Sequence, residues 1–205
     1  MKSKKNLLEQ LNILPHFSKS TICQLGSQLG LKNSTVNTYI SRFLKRKDIL
    51  PLRRGLYVSA DFFANNKSDI SYSFYLANII RMPSYVSSWT ALQYHNLTTE
   101  AIRSITSVTS KVTRDYEAKA GTFSYQSIKK ELFSDYLLVK GKFDFFVASP
   151  SKALFDLLYF RTHQFRSIKF DDVEKIVEEL RIDISEMSEG ERKSFYEKVK
   201  THLHE

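Results

Sequence analysis

The sequence predicts an α+β fold in two parts, and three observations carry that reading. Apolar residues recur at helical spacing through the first part: Leu7, Leu8, Leu11 and Leu14, then Ile22, Leu25 and Leu29, then Val36, Ile40, Phe43 and Leu44. Two short apolar runs, Ile49 to Leu52 and Leu56 to Val58, flank an Arg53-Arg54-Gly55 corner and read as a β-hairpin. From Ser104 the pattern becomes β-like, and helical spacing returns after Ser149 and Pro150. A chain of 205 residues has room for one or two domains, each with its own core.

The first helix is expected over Lys4 to Leu14, ended by Pro15. The second spans residues 18–29, and Gly30 supplies a left-handed turn that Leu31 plugs. In the third helix Asn33 or Ser34 is the expected N-cap. Its outer face carries Thr35, Asn37, Thr38, Ser41, Arg42 and Lys45, with Tyr39 at the edge. Helix, glycine turn, polar-faced helix and a hairpin with cations at its tip make the layout of a winged helix-turn-helix over residues 1–60.

That layout points to double-stranded DNA. A major groove about 12 Å wide admits one helix, whose short polar side chains reach base edges. Asn37 suits adenine and Arg42 suits guanine. Asn33, Ser34, Thr35, Thr38 and Ser41 complete the candidate face. Lys32, Lys45 and Arg46 suit phosphates, as do Lys19 and Thr21 at the start of the second helix. Arg53 and Arg54 suit a phosphate backbone or a minor groove. The plainer alternative is a solvated amphipathic helix before a surface hairpin. Charge favours the first reading. Residues 1–58 hold eleven Lys/Arg against two acids, whereas residues 59–205 hold twenty of each, so the whole net charge of +9 lies on the first part.

Residues 61–69 read as a polar linker, followed by a second domain over 70–205. A helix is expected over 70–81 with Tyr72, Tyr75, Leu76 and Ile79 on one side, broken at Met82-Pro83-Ser84. Tyr85-Val86 is a short strand, and Ser87 or Ser88 caps a helix reaching His95. ITSVTS and GTFSYQSI read as strands around a polar turn, and two more strands are joined at Lys140-Gly141-Lys142. Together these predict a mixed α/β domain with a small, mainly antiparallel sheet. Ser149 caps a helix with Pro150 at its first position, burying Ala153, Leu154, Leu157 and Leu158. Two closing helices follow, Phe170 to Arg181 and Glu189 to Leu203. With its own core, a fragment starting near Asp69 is expected to fold alone.

The ordered run RRGLYV, PSYVSSWTALQYHNL, ITSVTS, GTFSYQSIKKELF and VASPSKALFDLLYF resembles the AbiEi family over roughly residues 10–160. The resemblance implies an N-terminal winged helix and a C-terminal antitoxin domain. It also implies a role in a type IV toxin–antitoxin system of the abortive-infection, phage-defence kind. Such a protein represses its own operon by binding inverted repeats in the promoter. It also counters a nucleotidyltransferase-fold toxin, its partner functionally and through any direct contact. Two positions depart from the family pattern: Asn96 stands where glycine is usual, and Ser151 where glutamate is usual. On this resemblance Ser87, Ser88, Lys152 and Asp156 are candidate contacts of the antitoxin domain. From the residues alone, Ser87 or Ser88 is a cap, and Lys152–Asp156 is an i, i+4 surface ion pair.

An enzyme reading finds no site. The five histidines are dispersed, and the chain has no His-x-Glu-x-x-His spacing, glycine-rich phosphate loop, Gly-x-Ser-x-Gly elbow or cysteine cluster. No metal or other cofactor is expected, and Cys23 reads as a small core residue. The basic start MKSKKNLLEQL lacks the apolar run of a signal peptide, so a cytoplasmic protein without a membrane partner is expected. Residues 103–142 carry eight Lys/Arg against four acids, and residues 170–191 carry nine acids against two bases. These are either solvated faces, or surfaces for DNA and for a basic toxin. A winged-helix regulator whose C-terminal domain senses a ligand is the alternative function.

Overall fold

Three helices and a three-stranded sheet form the first part of the chain in the computed structural model, which describes residues 2–100, 103–166 and 168–203. The elements are α1 (Lys2–Asn12), β1 (Phe17–Ser18), α2 (Lys19–Gln28), α3 (Asn33–Arg46), β2 (Ile49–Arg53) and β3 (Leu56–Ser59). β1 and β2 pair antiparallel with β3 on its two sides. Leu7, Leu11, Phe17, Ile22, Val36, Ile40, Phe43 and Ile49 form the core between helices and sheet, close to the helical faces expected.

Helix α2 starts with a capping box. Ser18 Oγ accepts from the Thr21 backbone N–H at 3.1 Å, and the Ser18 N–H is 3.4 Å from Thr21 Oγ1. The turn into α3 uses Gly30 at φ +70°, where a side chain would be strained. At α3 the N-cap is Lys32, with no side-chain cap, so neither Asn33 nor Ser34 caps as expected. The two helices cross at Gly26, where an added Cβ would sit 2.4 Å from Val36 Cγ2. Val36 is β-branched and buried, so it has little freedom to yield. Gly26→Ala is therefore expected to destabilise by about 1–3 kcal/mol, despite alanine's better helix propensity. Urea denaturation checks this; an unchanged midpoint would mean that the crossing relaxes without loss.

The stretch expected as a linker is largely helical. Ser59 Oγ accepts from the Phe62 N–H at 2.9 Å and starts α4 (Ala60–Asn66). Phe62 packs on Tyr72 and Phe143, with ring centroids 5.5 and 6.1 Å away. The polar letters of this stretch concealed an amphipathic turn whose aromatics point inward. The hairpin is also shared between the two parts: Leu50, Leu52, Leu56 and Val58 belong to the larger core that follows.

Then come α5 (Ile70–Ile80), β4 (Ser84–Val86), α6 (Ser88–Tyr94), β5 (Ser104–Thr109), β6 (Arg114–Ala118) and β7 (Gly121–Ser127). The chain continues with β8 (Tyr136–Val139), β9 (Phe145–Ala148), α7 (Pro150–Arg161), α8 (Asp172–Glu179) and α9 (Glu189–His202). The protein is α+β, but its second sheet is larger and more mixed than expected: six strands in the order β6-β7-β5-β4-β9-β8. β5/β7 and β4/β9 are parallel, and the other neighbours are antiparallel. The excess over expectation includes β6, which lies in the supposed polar turn. As an end strand it is mostly solvated, so its RDYEA sequence lacks apolar alternation.

Register shows how the helices layer on this sheet. Tyr85 pairs with Val108, and Tyr125 pairs with Ser107. Adjacent residues on β5 face opposite sides, so the two tyrosines do too. Tyr125 OH donates to Ala77 O of α5 at 2.5 Å, and Tyr85 OH donates to Asp156 of α7 at 3.1 Å. Helices α5 and α7 therefore cover opposite faces. Both are buried more completely than a one-sided helix, α7 from Ser151 through Tyr159. Helix α5 also meets the first part of the chain: Tyr72 OH donates to Pro15 O at 2.8 Å, and Tyr75 OH lies 2.6 Å from His16 Nδ1. Burial holds the His16 imidazole below its ordinary range. Asn96 adopts φ +61° and closes α6.

Candidate nucleic-acid interface

Helix α3 presents an uninterrupted polar face. Lys32, Asn33, Ser34, Asn37, Thr38, Ser41, Arg42, Lys45 and Arg46 are exposed, and Thr35 is half-buried. Val36, Ile40 and Phe43 anchor the opposite face in the core, which fixes the rotation of the helix. No acid occurs in α3, so the partial positive charge at its N-terminus is not neutralised by its own side chains.

Hydroxyls on that face are partly engaged. Thr38 Oγ1 donates to Ser34 O at 3.0 Å and Ser41 Oγ donates to Asn37 O at 3.2 Å, leaving their oxygens as acceptors. Among the described residues, the Asn37 and Arg42 side chains bond to no other residue. Arg46 Nε lies 3.4 Å from Asp48, a contact between an exposed guanidinium and a half-buried carboxylate.

The hairpin tip stands beside the start of α2. Gly55, at φ +77°, makes the corner and accepts from the Lys19 N–H at 3.0 Å. Lys19, Arg53 and Arg54 are exposed, so the start of α2 and the hairpin tip supply cations next to each other. Arg53 Nη1 reaches Arg54 O at 3.4 Å, a long bond that leaves its other donors outward. Thr21 is half-buried, and its hydroxyl lies 2.9 Å from Ser18 Oγ within the capping box at the start of α2.

The four candidate contacts of the second part lie inside the protein, which is a correction. Lys152 and Asp156 are 2 % and 0 % exposed, and their Nζ–Oδ1 distance is 2.6 Å. Asp156 Oδ2 accepts from Ser87 Oγ at 2.7 Å and from Tyr85 OH at 3.1 Å. The ammonium also sits 5.0 Å from the Phe155 ring centroid. Burial pushes the Asp156 carboxyl above the usual carboxylate range, against the downward pull of Lys152, Ser87 and Tyr85. Burial, then Asp156, likewise push the Tyr85 hydroxyl up. Ser87 occupies the N-cap position of α6 without a side-chain cap bond; its hydroxyl is turned to Asp156 instead. Ser88 is buried at φ +51°, with its hydroxyl unpartnered. None of the four offers a surface to a partner.

Sequence spacing found the Lys152–Asp156 pair but not its burial or its third member, Tyr85. The available signal was a tyrosine in a short strand with apolar neighbours, whose hydroxyl needs a buried acceptor. The Ser151 backbone N–H in the first turn of α7 is taken up by a carboxylate from α9: Glu191 Oε2 accepts it at 2.8 Å.

A separate cleft of about 610 Å³ is lined by Trp89, Glu100, Ser104, Thr106, Leu180 and Arg181. Among the described residues, no group of three or more His, Cys, Asp or Glu is placed to hold a metal ion. None of their helices is long and apolar enough to cross a membrane. No family model matches the chain, and no curated protein matches it.

Proposed function

We propose that this chain is a DNA-binding antitoxin and autorepressor of a type IV toxin–antitoxin operon, with residues 1–59 acting as a winged helix-turn-helix. The observation that carries the DNA half is the acid-free outer face of α3 with its unengaged Asn37 and Arg42, in the same helix-and-hairpin unit as the exposed Arg53 and Arg54. Helix α3 enters a major groove, Asn37 and Arg42 read base edges, and Lys19, Lys32, Lys45 and the tip hold phosphates. The antitoxin half is supported by the ordered motifs from RRGLYV to VASPSKALFDLLYF. In this reading the second part counters a nucleotidyltransferase-fold toxin through its surface, while the buried Lys152–Asp156 pair sets its architecture. The cleft beside Trp89 favours one other reading, a regulator that senses a small molecule, because its volume suits a ligand.

The test is fluorescence anisotropy on the DNA upstream of the gene, at several salt concentrations. Binding is expected to weaken steeply with salt. Arg53→Ala with Arg54→Ala is expected to flatten the log–log slope by up to about 0.9 per lost phosphate contact, on all sequences alike. Asn37→Ala or Arg42→Ala is expected to cost about 1–3 kcal/mol on the operator and little on random DNA. A salt-independent or absent interaction would overturn the DNA half. Lack of a toxin gene adjacent to this one, or failure of the chain to restore growth beside such a gene, would move the second half to ligand sensing.

A further inference from the structure

The two ends of the six-stranded sheet are built differently. At one end, β6 exposes Arg114, Asp115 and Glu117, the usual charged protection of an end strand, and β2 lies close by. At the other end, β8 reads Tyr136-Leu137-Leu138-Val139, with no charge, proline or glycine. Its leucines are 64 % and 44 % exposed. Leu138 lies across from Phe146, itself 39 % exposed, so the apolar strip continues onto β9. Alternate backbone N–H and C=O groups of an end strand point away from its one neighbour. β8 therefore offers hydrogen-bonding groups and apolar side chains together.

The charges flanking this strand choose the occupant. Asp135 precedes β8 and Lys140 follows it, and both are exposed. Antiparallel pairing of β8 with its own copy about a two-fold axis brings the Asp135 end of one strand beside the Lys140 end of the other, twice. A register centred on Leu137 sets that residue against its counterpart and Tyr136 against Leu138. The strand is thus self-complementary in charge and in apolarity, as an isologous interface requires. Asp135 also lies 3.7 Å from Lys198, a partly exposed contact that leaves room for a second cation.

We propose that a second copy of this chain docks on β8, joining the two sheets edge to edge across a two-fold axis. The inference stands on the sheet edge and does not rest on DNA binding. A four-residue pairing buries little area, so the dimer is weak, with dissociation in the range of roughly tens of micromolar.

Sedimentation velocity over a concentration series tests it on the full chain. The wild type is expected to pass from its 23.9 kDa monomer to twice that mass. Leu137→Lys, at a position already exposed, is expected to weaken association at least tenfold with an unchanged circular dichroism spectrum. Lys140→Asp alone is expected to weaken it too, whereas Lys140→Arg, which keeps the charge, is expected to leave it unchanged. Arg114→Gln on the opposite edge is expected to leave it unchanged. A wild type that stays monomeric to about 200 µM, well above the expected dissociation constant, overturns the proposal. So does a dimer that survives Leu137→Lys, because it uses another surface.

Discussion

Asp156→Ala is expected to lower stability by about 3–5 kcal/mol, because it leaves the Lys152 ammonium buried without its carboxylate. For a chain of this size that corresponds to a melting point roughly 6–20 °C lower. The same change strands the hydroxyls of Ser87 and Tyr85, which now donate to Asp156. Replacing both partners together, Lys152→Met with Asp156→Leu, is expected to recover much of the loss, since no charge is then left unpaired. Lys152→Met alone differs in its pH dependence. It removes the ammonium that pulls the Asp156 carboxyl down, so the folded-state pKa, already raised by burial, rises further. A carboxyl with a raised folded pKa contributes most below its ordinary value of 3.8 and loses that contribution as pH rises through the folded value. Relative to wild type, Lys152→Met therefore gains stability on acidification. Thermal melts of the variants across pH check both results. Equal stability of Asp156→Ala and wild type would mean that water reaches the pair.

A fragment starting near Asp69 is expected not to fold, in contrast to the expectation from sequence. It lacks Leu50, Leu52, Leu56 and Val58, all buried in the same core as Tyr72 and Tyr125. It also lacks Phe62, whose ring meets Tyr72 and Phe143, and Pro15 O, which accepts from Tyr72 OH. Each buried aliphatic side chain contributes about 1.5–3 kcal/mol. Four of them amount to much of the net stability of a domain, about 5–15 kcal/mol. A fragment starting at Asp48 keeps the hairpin and α4 and is expected to retain tertiary structure. Near-UV circular dichroism and ANS binding separate the two. A native-like Asp69 fragment would show that the hairpin rests on the second part without stabilising it. If the Asp69 fragment unfolds, its failure to counter a toxin says nothing about where antitoxicity lies.

The helices of the first part were legible because each carries a one-sided apolar repeat: Leu7 and Leu11, Ile22, and Val36, Ile40 and Phe43 all reach the core. The hairpin was legible from Arg54-Gly55, and α7 from Ser149 and Pro150, since turn and cap chemistry is local. The polar face of α3 was legible for the same reason: the residues that stay out are set by those that must go in. Local pattern failed where burial comes from elsewhere in the chain. Helix α4 reads as polar because its aromatic contacts lie on α5 and beyond β8. Strand β6 reads as a turn because only its partner β7 makes it a strand. Spacing put Lys152 and Asp156 one helical turn apart, which is equally true of a surface pair and a buried one. Only the sheet beneath α7, with the neighbouring helices above it, removes water from both charges and leaves Tyr85 and Ser87 to complete the carboxylate's hydrogen bonds.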